Sequence, residues 1–388
     1  MGLKNGVAIF QRTVDYCLRN VRDISAAYVD DIITGTHANK TPLETLKVHN
    51  EDLRRMLGAV AVDKLVGDGG DKFKPFVEEV IFCGHVLGHG IRRPAPGNLM
   101  ALENWEEPKT ITALRGFLGF TNYYSSYVPK YAELAASLQD LLKLNRTEGK
   151  AGSKKPVKFN DEQRRAFQDL KATLLSGLKL HNVNPDKPFV IRADASNRAV
   201  GAALEQFLDN TFGMPTIEDV YDRQRVPVAF FSRKLTDGQT RTWAPREKET
   251  YAVVLSLVKW SSWIGLQPVL VVTDHRSLES WAKEVLDTPS GPAGRRARWH
   301  ELLSRFNLQV IYIPGKDNVV ADALSRWAYP ASQAFADVSL HGSVADDLEM
   351  REFMEQEISD EKLCSCVFVN GALASKAPNL HSHIQFIS

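Results

Sequence analysis

Between Lys187 and Trp327, short apolar runs alternate with helical stretches, and this order constrains the fold more than any other feature of the 388-residue chain. Phe189-Val190-Ile191, just after Pro188, reads as a buried strand. Ala199 to Leu204 and Val226 to Phe231 read as two more. Arg246 to Trp263 has helical character, with bulky residues at Val253, Leu257 and Trp260 and at Ile264 just beyond. Pro268 then opens a strand from Val269 to Thr273. Helix is expected from Arg295 to Phe306, strand from Leu308 to Ile313, and helix from Asn318 to Trp327. Three strands, a helix, a strand, a helix, a strand and a helix specify an α/β domain, a mixed five-stranded sheet flanked by helices.

Four acids sit where that pattern brings strand and helix ends together. Asp194 follows the first strand run, Glu249 is expected in the first turn of the long helix, Asp274 ends the fourth strand, and Asp322 lies in the last helix. Carboxylates held close repel one another and raise each other's pKa values. A divalent cation removes that conflict, and hard oxygen ligands suit Mg²⁺ or Mn²⁺. Two such ions about 4 Å apart can activate water and stabilise a leaving oxygen in phosphodiester hydrolysis. Composition and spacing alone favour four ordinary surface or strand-end acids.

The words around these acids narrow the choice. "FVIRADAS", "REKETYAVV", "VVTDHRSLE" and "GKDNVVADALSR" occur in this order, with "FFSRKLT" at 230–236. Together they resemble the ribonuclease H domain of gypsy-type LTR retrotransposons over about Lys187 to Trp327. The resemblance implies that Asp194, Glu249, Asp274 and Asp322 ligate two catalytic Mg²⁺ or Mn²⁺ ions and cut the RNA strand of RNA–DNA hybrids. Glu247 also matches a family Glu, but the metal-binding acid aligns with Glu249, which stands three residues before Ala252. Glu247 is read as a charge favourable at a helix N-terminus. Many cellular ribonucleases H carry a His in the loop before the last acid, whereas this loop reads Pro314-Gly315-Lys316-Asp317. His275 is the nearest candidate for a proton shuttle, with a strand-end His bonded to backbone as the preferred reading. Phe207 to Arg225, a long polar stretch, is expected to be an extended surface hairpin loop.

The first 150 residues carry a second resemblance. Tyr28-Val29-Asp30-Asp31, "GLKNGVAIFQR" at 2–12, "FCGHVLGHGI" at 82–91 and "ALRGFLGFTNYYSSYVP" at 113–129 are similar to the palm, primer-grip and thumb or connection segments of the same family's reverse transcriptase. Gly6-Val7 and Ser125 depart from the family's usual Ala-Pro and Arg. The family's third polymerase Asp lies N-terminal to the first of these segments. Asp30 and Asp31 are therefore expected to form a polymerase remnant, with no DNA synthesis from this chain alone. Phe117, Phe120, Tyr123, Tyr124 and Tyr127 follow helical spacing, and a packing stripe and a nucleic-acid contact are both open.

The expected organisation is a palm remnant of α+β type over 1–91, a thumb or connection helical segment over 92–146, a linker over 147–158, the RNase H-like domain over 159–330, and a tail over 331–388. Arg92 to Asn98, with its prolines and glycine, reads as a turn between units, and Asp346 to Glu361 as one solvated acidic helix. Net charge is +1, so basic character is local only, in the Lys154–Arg165 and Arg295–Arg298 stretches. Arg233, Lys234 and Lys316 are expected to meet phosphates of an RNA–DNA hybrid. Other Pol subunits are further expected partners. No run is long enough to span a membrane, no signal peptide is evident, and Cys17, Cys83, Cys364 and Cys366 are too few for a disulfide framework. An intracellular setting, cytoplasm or nucleus, is expected. Two other functional readings stay open: a non-catalytic nucleic-acid-binding or assembly fragment, and an RNA-directed DNA polymerase completed in trans.

Overall fold

In the computed structural model, residues 5–37, 41–67, 72–144, 156–177, 179–209, 213–276, 278, 291–313 and 385–387 are described. The chain divides into two compact units, Met1–His89 with Ser332–Ser388, and Gly90–Ala331.

The first unit opens with helix α1 (Gly6–Cys17), followed by the hairpin β1 (Ser25–Tyr28) and β2 (Asp31–Thr34). Tyr28 pairs with Asp31, so Val29 and Asp30 make a two-residue turn. Val29 turns there with φ +58°, an unfavourable conformation for a β-branched residue. Helix α2 (Pro42–Val62) starts on a reciprocal cap: the Glu44 N–H donates to Thr41 Oγ1 and the Thr41 N–H to Glu44 Oε2, with Pro42 at the first helical position. Val14, Leu18, Ile32, Leu53, Met56 and Val60 close one core between these elements. Strands β3 (Glu79–Phe82) and β4 (His85–Gly88) form a second hairpin, turned by Cys83 and Gly84 at positive φ.

The second unit begins with β5 (Ile91–Pro94) and α3 (Pro96–Glu103). The expected Pro-rich turn between units is thus a strand followed at once by a helix. Pro94 ends the strand and Pro96 occupies the first helical position, where a missing N–H costs nothing. Helices α4 (Ile111–Tyr123), α5 (Tyr131–Leu134), α6 (Ala136–Leu144) and α7 (Asp161–Leu175) follow, and β6 (Leu180–His181) returns to pair with β5. Leu114, Phe117, Leu138, Leu170 and Leu174 fill the space among these helices, and Ala203 and Phe230 of the large sheet join them. The aromatic stripe is mostly packing: Phe117, Tyr124 and Tyr127 are buried, and Tyr123 is exposed.

That sheet holds β7 (Phe189–Ala195), β8 (Ala199–Phe207), β9 (Arg225–Lys234), β10 (Val269–Thr273) and β11 (Leu308–Tyr312) in the order β11-β10-β7-β8-β9. Strands β7, β8 and β9 run antiparallel, while β10 is parallel to both β7 and β11. Phe189, Ile191 and Ala193 pack toward α10 (Pro245–Ile264) and α11 (Gly291–Leu303), meeting Val253, Leu257, Trp260 and Trp299. Val190 belongs to a second cluster with Phe207, Leu270, Val272 and Ile313. Buried Glu205 of β8 takes ion pairs from Arg192 of β7 at 3.3 Å and Arg225 of β9 at 2.9 Å.

The stretch from Phe207 to Arg225 is not the simple surface loop expected. It contains α8 (Ile217–Asp222), capped by Thr216 and Asp219, and Val220 is buried in the cluster around Phe207. A six-residue helix is too short to leave a periodic signal. Helix α9 (Asp237–Thr242) leads into α10. Strand β12 (Gln385–Ile387), in the first unit, lies parallel to β2. The expected linker core at 147–155, the helix at 318–327 and the acidic helix at 346–361 lie outside the described residues.

Candidate active site

Strand β7 places Asp194 beside Gly201 near the C-terminal end of the strand. Strand β10 ends one residue before Asp274, which is exposed. Helix α10 brings Glu249 under the same strand ends, where the Ala195 N–H donates to Glu249 Oε1 at 3.3 Å. Glu249 is buried at 8% exposure, and its other oxygen, Oε2, has no hydrogen-bond partner. Burial first, then the charges of Asp194 and Asp274, push the Glu249 carboxyl up to about 8. Three of the four sequence-predicted acids, Asp194, Glu249 and Asp274, are therefore brought within electrostatic reach of one another from two strands and a helix. Asp322 lies outside the described residues.

Glu249 sits one turn deeper than expected. The first turn of α10 holds Glu247, which accepts from the Ala244 N–H at 3.2 Å, the N-terminal role anticipated for it. The deeper position is what buries Glu249 against the sheet.

A cation already sits in this cluster. Lys130, which precedes α5, places its Nζ 2.8 Å from Asp194 Oδ2, and both side chains are about half exposed. A cleft of about 140 Å³ runs from Lys130 and Glu133 past Arg192, Asp194 and Asp274 to Ser232. Among the described residues, no three carboxylate, imidazole or thiol groups stand close enough to hold one metal ion in this arrangement. The donor set nonetheless fits a hard divalent ion: oxygen ligands only, one of them buried and without a partner.

His275 donates its backbone N–H to Thr273 Oγ1 at 3.1 Å. Arg233 is exposed on β9. Lys234 is held down, its Nζ 2.7 Å from Asp140 Oδ1 and 3.2 Å from the Ala136 carbonyl. Lys316 lies outside the described residues. In the first unit, Asp31 flanks the turn that contains Asp30; burial and the Asp30 charge raise the Asp31 carboxyl, partly offset by Lys72. Lys130 and Arg192 were not singled out by sequence reasoning. Arg192 stands inside "FVIRADAS", but its ion pair with Glu205 is visible only in the sheet, and Lys130 follows the 113–129 stretch and is revealed only by the packing of α5 on the sheet.

Residues 184–306 match the RNase H-like domain found in reverse transcriptase. Over 352 residues, 90% of this chain, the sequence is 31% identical to the retrovirus-related Pol polyprotein from transposon opus of Drosophila melanogaster, of which it covers 32%. The corresponding polyprotein from transposon gypsy of the same fly is 31% identical over 84% of this chain and 29% of its own length. The Tf2-3 polyprotein of Schizosaccharomyces pombe is 28% identical, over 84% of this chain and 22% of its own length. The chain thus spans about a third or less of the length of these relatives. In fold it resembles a foamy viral protease-reverse transcriptase solved with an RNA/DNA hybrid, at TM-score 0.59 and 20% identity over 80% of this chain and 38% of that one. No described helix is long and apolar enough to cross a membrane.

Proposed function

We propose that this chain, similar to gypsy-type retrotransposon Pol polyproteins and matching an RNase H-like domain, hydrolyses the RNA strand of RNA–DNA hybrids with divalent metal ions. The observation that carries this reading is the meeting of Asp194, Asp274 and a buried, half-partnered Glu249 at one end of the sheet. Asp194, Glu249, Asp274 and Asp322 would hold Mg²⁺ or Mn²⁺. The bound ions would supply a water nucleophile at neutral pH and charge stabilisation of the leaving oxygen.

The chain's own residues set the rest. The Ala195 N–H fixes one oxygen of Glu249 and leaves the other buried without a partner, available to a cation. Asp274 is exposed and Asp194 about half exposed, so a phosphate backbone can approach them. Exposed Arg233 remains the better candidate for a phosphate contact than Lys234, whose ammonium is engaged by Asp140. Selectivity would come from the shape of the hybrid and the 2′-hydroxyls of one strand, not from base edges. Asp30 and Asp31 have no third acid grouped with them among the described residues, so primer extension by this chain alone is expected to be blank.

One observation favours a second reading, a hybrid-binding fragment without catalysis: Lys130 pairs with Asp194 where a metal would bind. Cleavage of a labelled hybrid in Mg²⁺ separates the two. The wild type should cut, and Asp194→Asn should cut about 100-fold more slowly or less, since a lost ligand removes several kcal/mol of stabilisation. If the wild type binds hybrid and never cuts it, the non-catalytic reading stands.

A further inference from the structure

We propose that Lys130 is the resident counter-ion of the carboxylate cluster, a positioning residue that holds Asp194 until a divalent ion displaces it. The inference rests on the reading of the cluster as a metal site and adds a residue from outside the RNase H-like match at 184–306.

The placement of Lys130 is fixed from several sides. Its backbone is left-handed, φ +52°, at the cap of α5, and its carbonyl accepts from the Glu133 and Leu134 N–H groups. That conformation is uncommon for a residue other than Gly, Asn or Asp, and it persists only where the surroundings hold it. The surroundings do so here. The Ala132 N–H donates to Ser232 Oγ at 2.7 Å, tying α5 to β9. Tyr131 is buried, with its hydroxyl 3.0 Å from Thr121 Oγ1. Lys234 reaches from β9 to Asp140 on the next helix. A lysine anchored this way delivers its ammonium to one place, 2.8 Å from Asp194 Oδ2 and within the field of Asp274. The cluster meanwhile leaves Glu249 Oε2 buried without a partner. Lys130 thus neutralises the exposed side of the cluster and leaves the buried side unmet. An ion that bridged Asp194 and Glu249 would meet both, and would compete with Lys130 for Asp194 Oδ2.

The test is a titration of the whole metal-stripped chain with Mn²⁺ alone, following free Mn²⁺ by electron paramagnetic resonance. Lys130→Asn keeps a residue that tolerates the left-handed backbone and removes the charge. It should bind Mn²⁺ about tenfold more tightly than wild type. Lys130→Arg, which keeps the charge, should stay near wild type. Without metal, Lys130→Asn should melt at a lower temperature than wild type and gain more from added Mn²⁺. Should Lys130→Asn fail to fold, Lys130→Gln is titrated against the same expectation. Unchanged or weaker Mn²⁺ binding by the neutral variant overturns the role of Lys130 and leaves the metal site intact. If wild type binds no Mn²⁺, or Asp194→Asn binds as well as wild type, the metal-site reading itself falls, and the inference with it.

Discussion

Glu249 shows at the residue scale how the site is built. Its carboxyl is raised from about 4.5 to about 8 by burial and by the two neighbouring acids. The folded, metal-free protein therefore holds a proton that the unfolded chain releases, and in that window stability falls as pH rises. The contribution is fully present below about 4.5 and is lost as pH climbs through about 8. In EDTA the melting temperature should drop between pH 5 and pH 8, and Glu249→Gln should flatten that drop. At pH 8 the Gln variant should gain on the order of 3 kcal/mol over wild type. A pH profile identical in the two proteins would show that Glu249 is not strained by its neighbours. Mg²⁺ should reverse the order, stabilising wild type and leaving Glu249→Gln nearly unmoved.

At the scale of elements, the large sheet is held by a buried ion cluster as well as by apolar packing. Glu205 is 7% exposed in its side chain and answers both Arg192 and Arg225. Glu205→Ala leaves two buried guanidinium groups without their carboxylate, and urea unfolding should show a loss of about 3–5 kcal/mol. Phe117, with no exposed surface, joins α4 to α7 through a ring contact of 4.6 Å between centroids with Phe167. Phe117→Ala should cost about 3–5 kcal/mol by the same measurement, from lost transfer energy and the cavity left behind. If either variant unfolds like wild type, these contacts are not what holds the second unit together.

The elements also show what local sequence can reveal. Val269 to Thr273 is a strand to the residue, since an unbroken apolar run after Pro268 admits little else. The long helix was legible from its bulky residues, running one residue further at each end than read. Strand β9 extends beyond the run read for it, to Lys234, because polar residues at a sheet edge carry no apolar signal. Helix α8 was missed for its brevity, and β5 with α3 because two prolines two residues apart read as a turn. Three of the candidate acids are legible in motif words, and the fold brings Asp194 and Asp274 within electrostatic reach of Glu249. Lys130 is not legible there, since its role exists only through the packing of α5 on β9, a contact no local pattern encodes.

At the scale of the whole molecule, the 388 residues resemble part of a longer polyprotein and carry a net charge of only +1. On the proposed function, binding to nucleic acid would depend on local cations such as Arg233. Hybrid affinity should fall with salt, and Arg233→Ala should shallow the slope by about one phosphate contact. Fluorescence anisotropy across a salt series checks this, and an unchanged slope would remove Arg233 from the interface.

On the proposed function, the carboxylates gathered at the ends of β7 and β10 cut RNA paired with DNA. The most direct measurement incubates the full chain with a hybrid labelled on both strands, in Mg²⁺ and in EDTA, beside Asp194→Asn. Only the RNA strand should be shortened, only in Mg²⁺, and about 100-fold more slowly or less by Asp194→Asn than by the wild type. An intact RNA strand, or equal cutting by Asp194→Asn, would contradict that function.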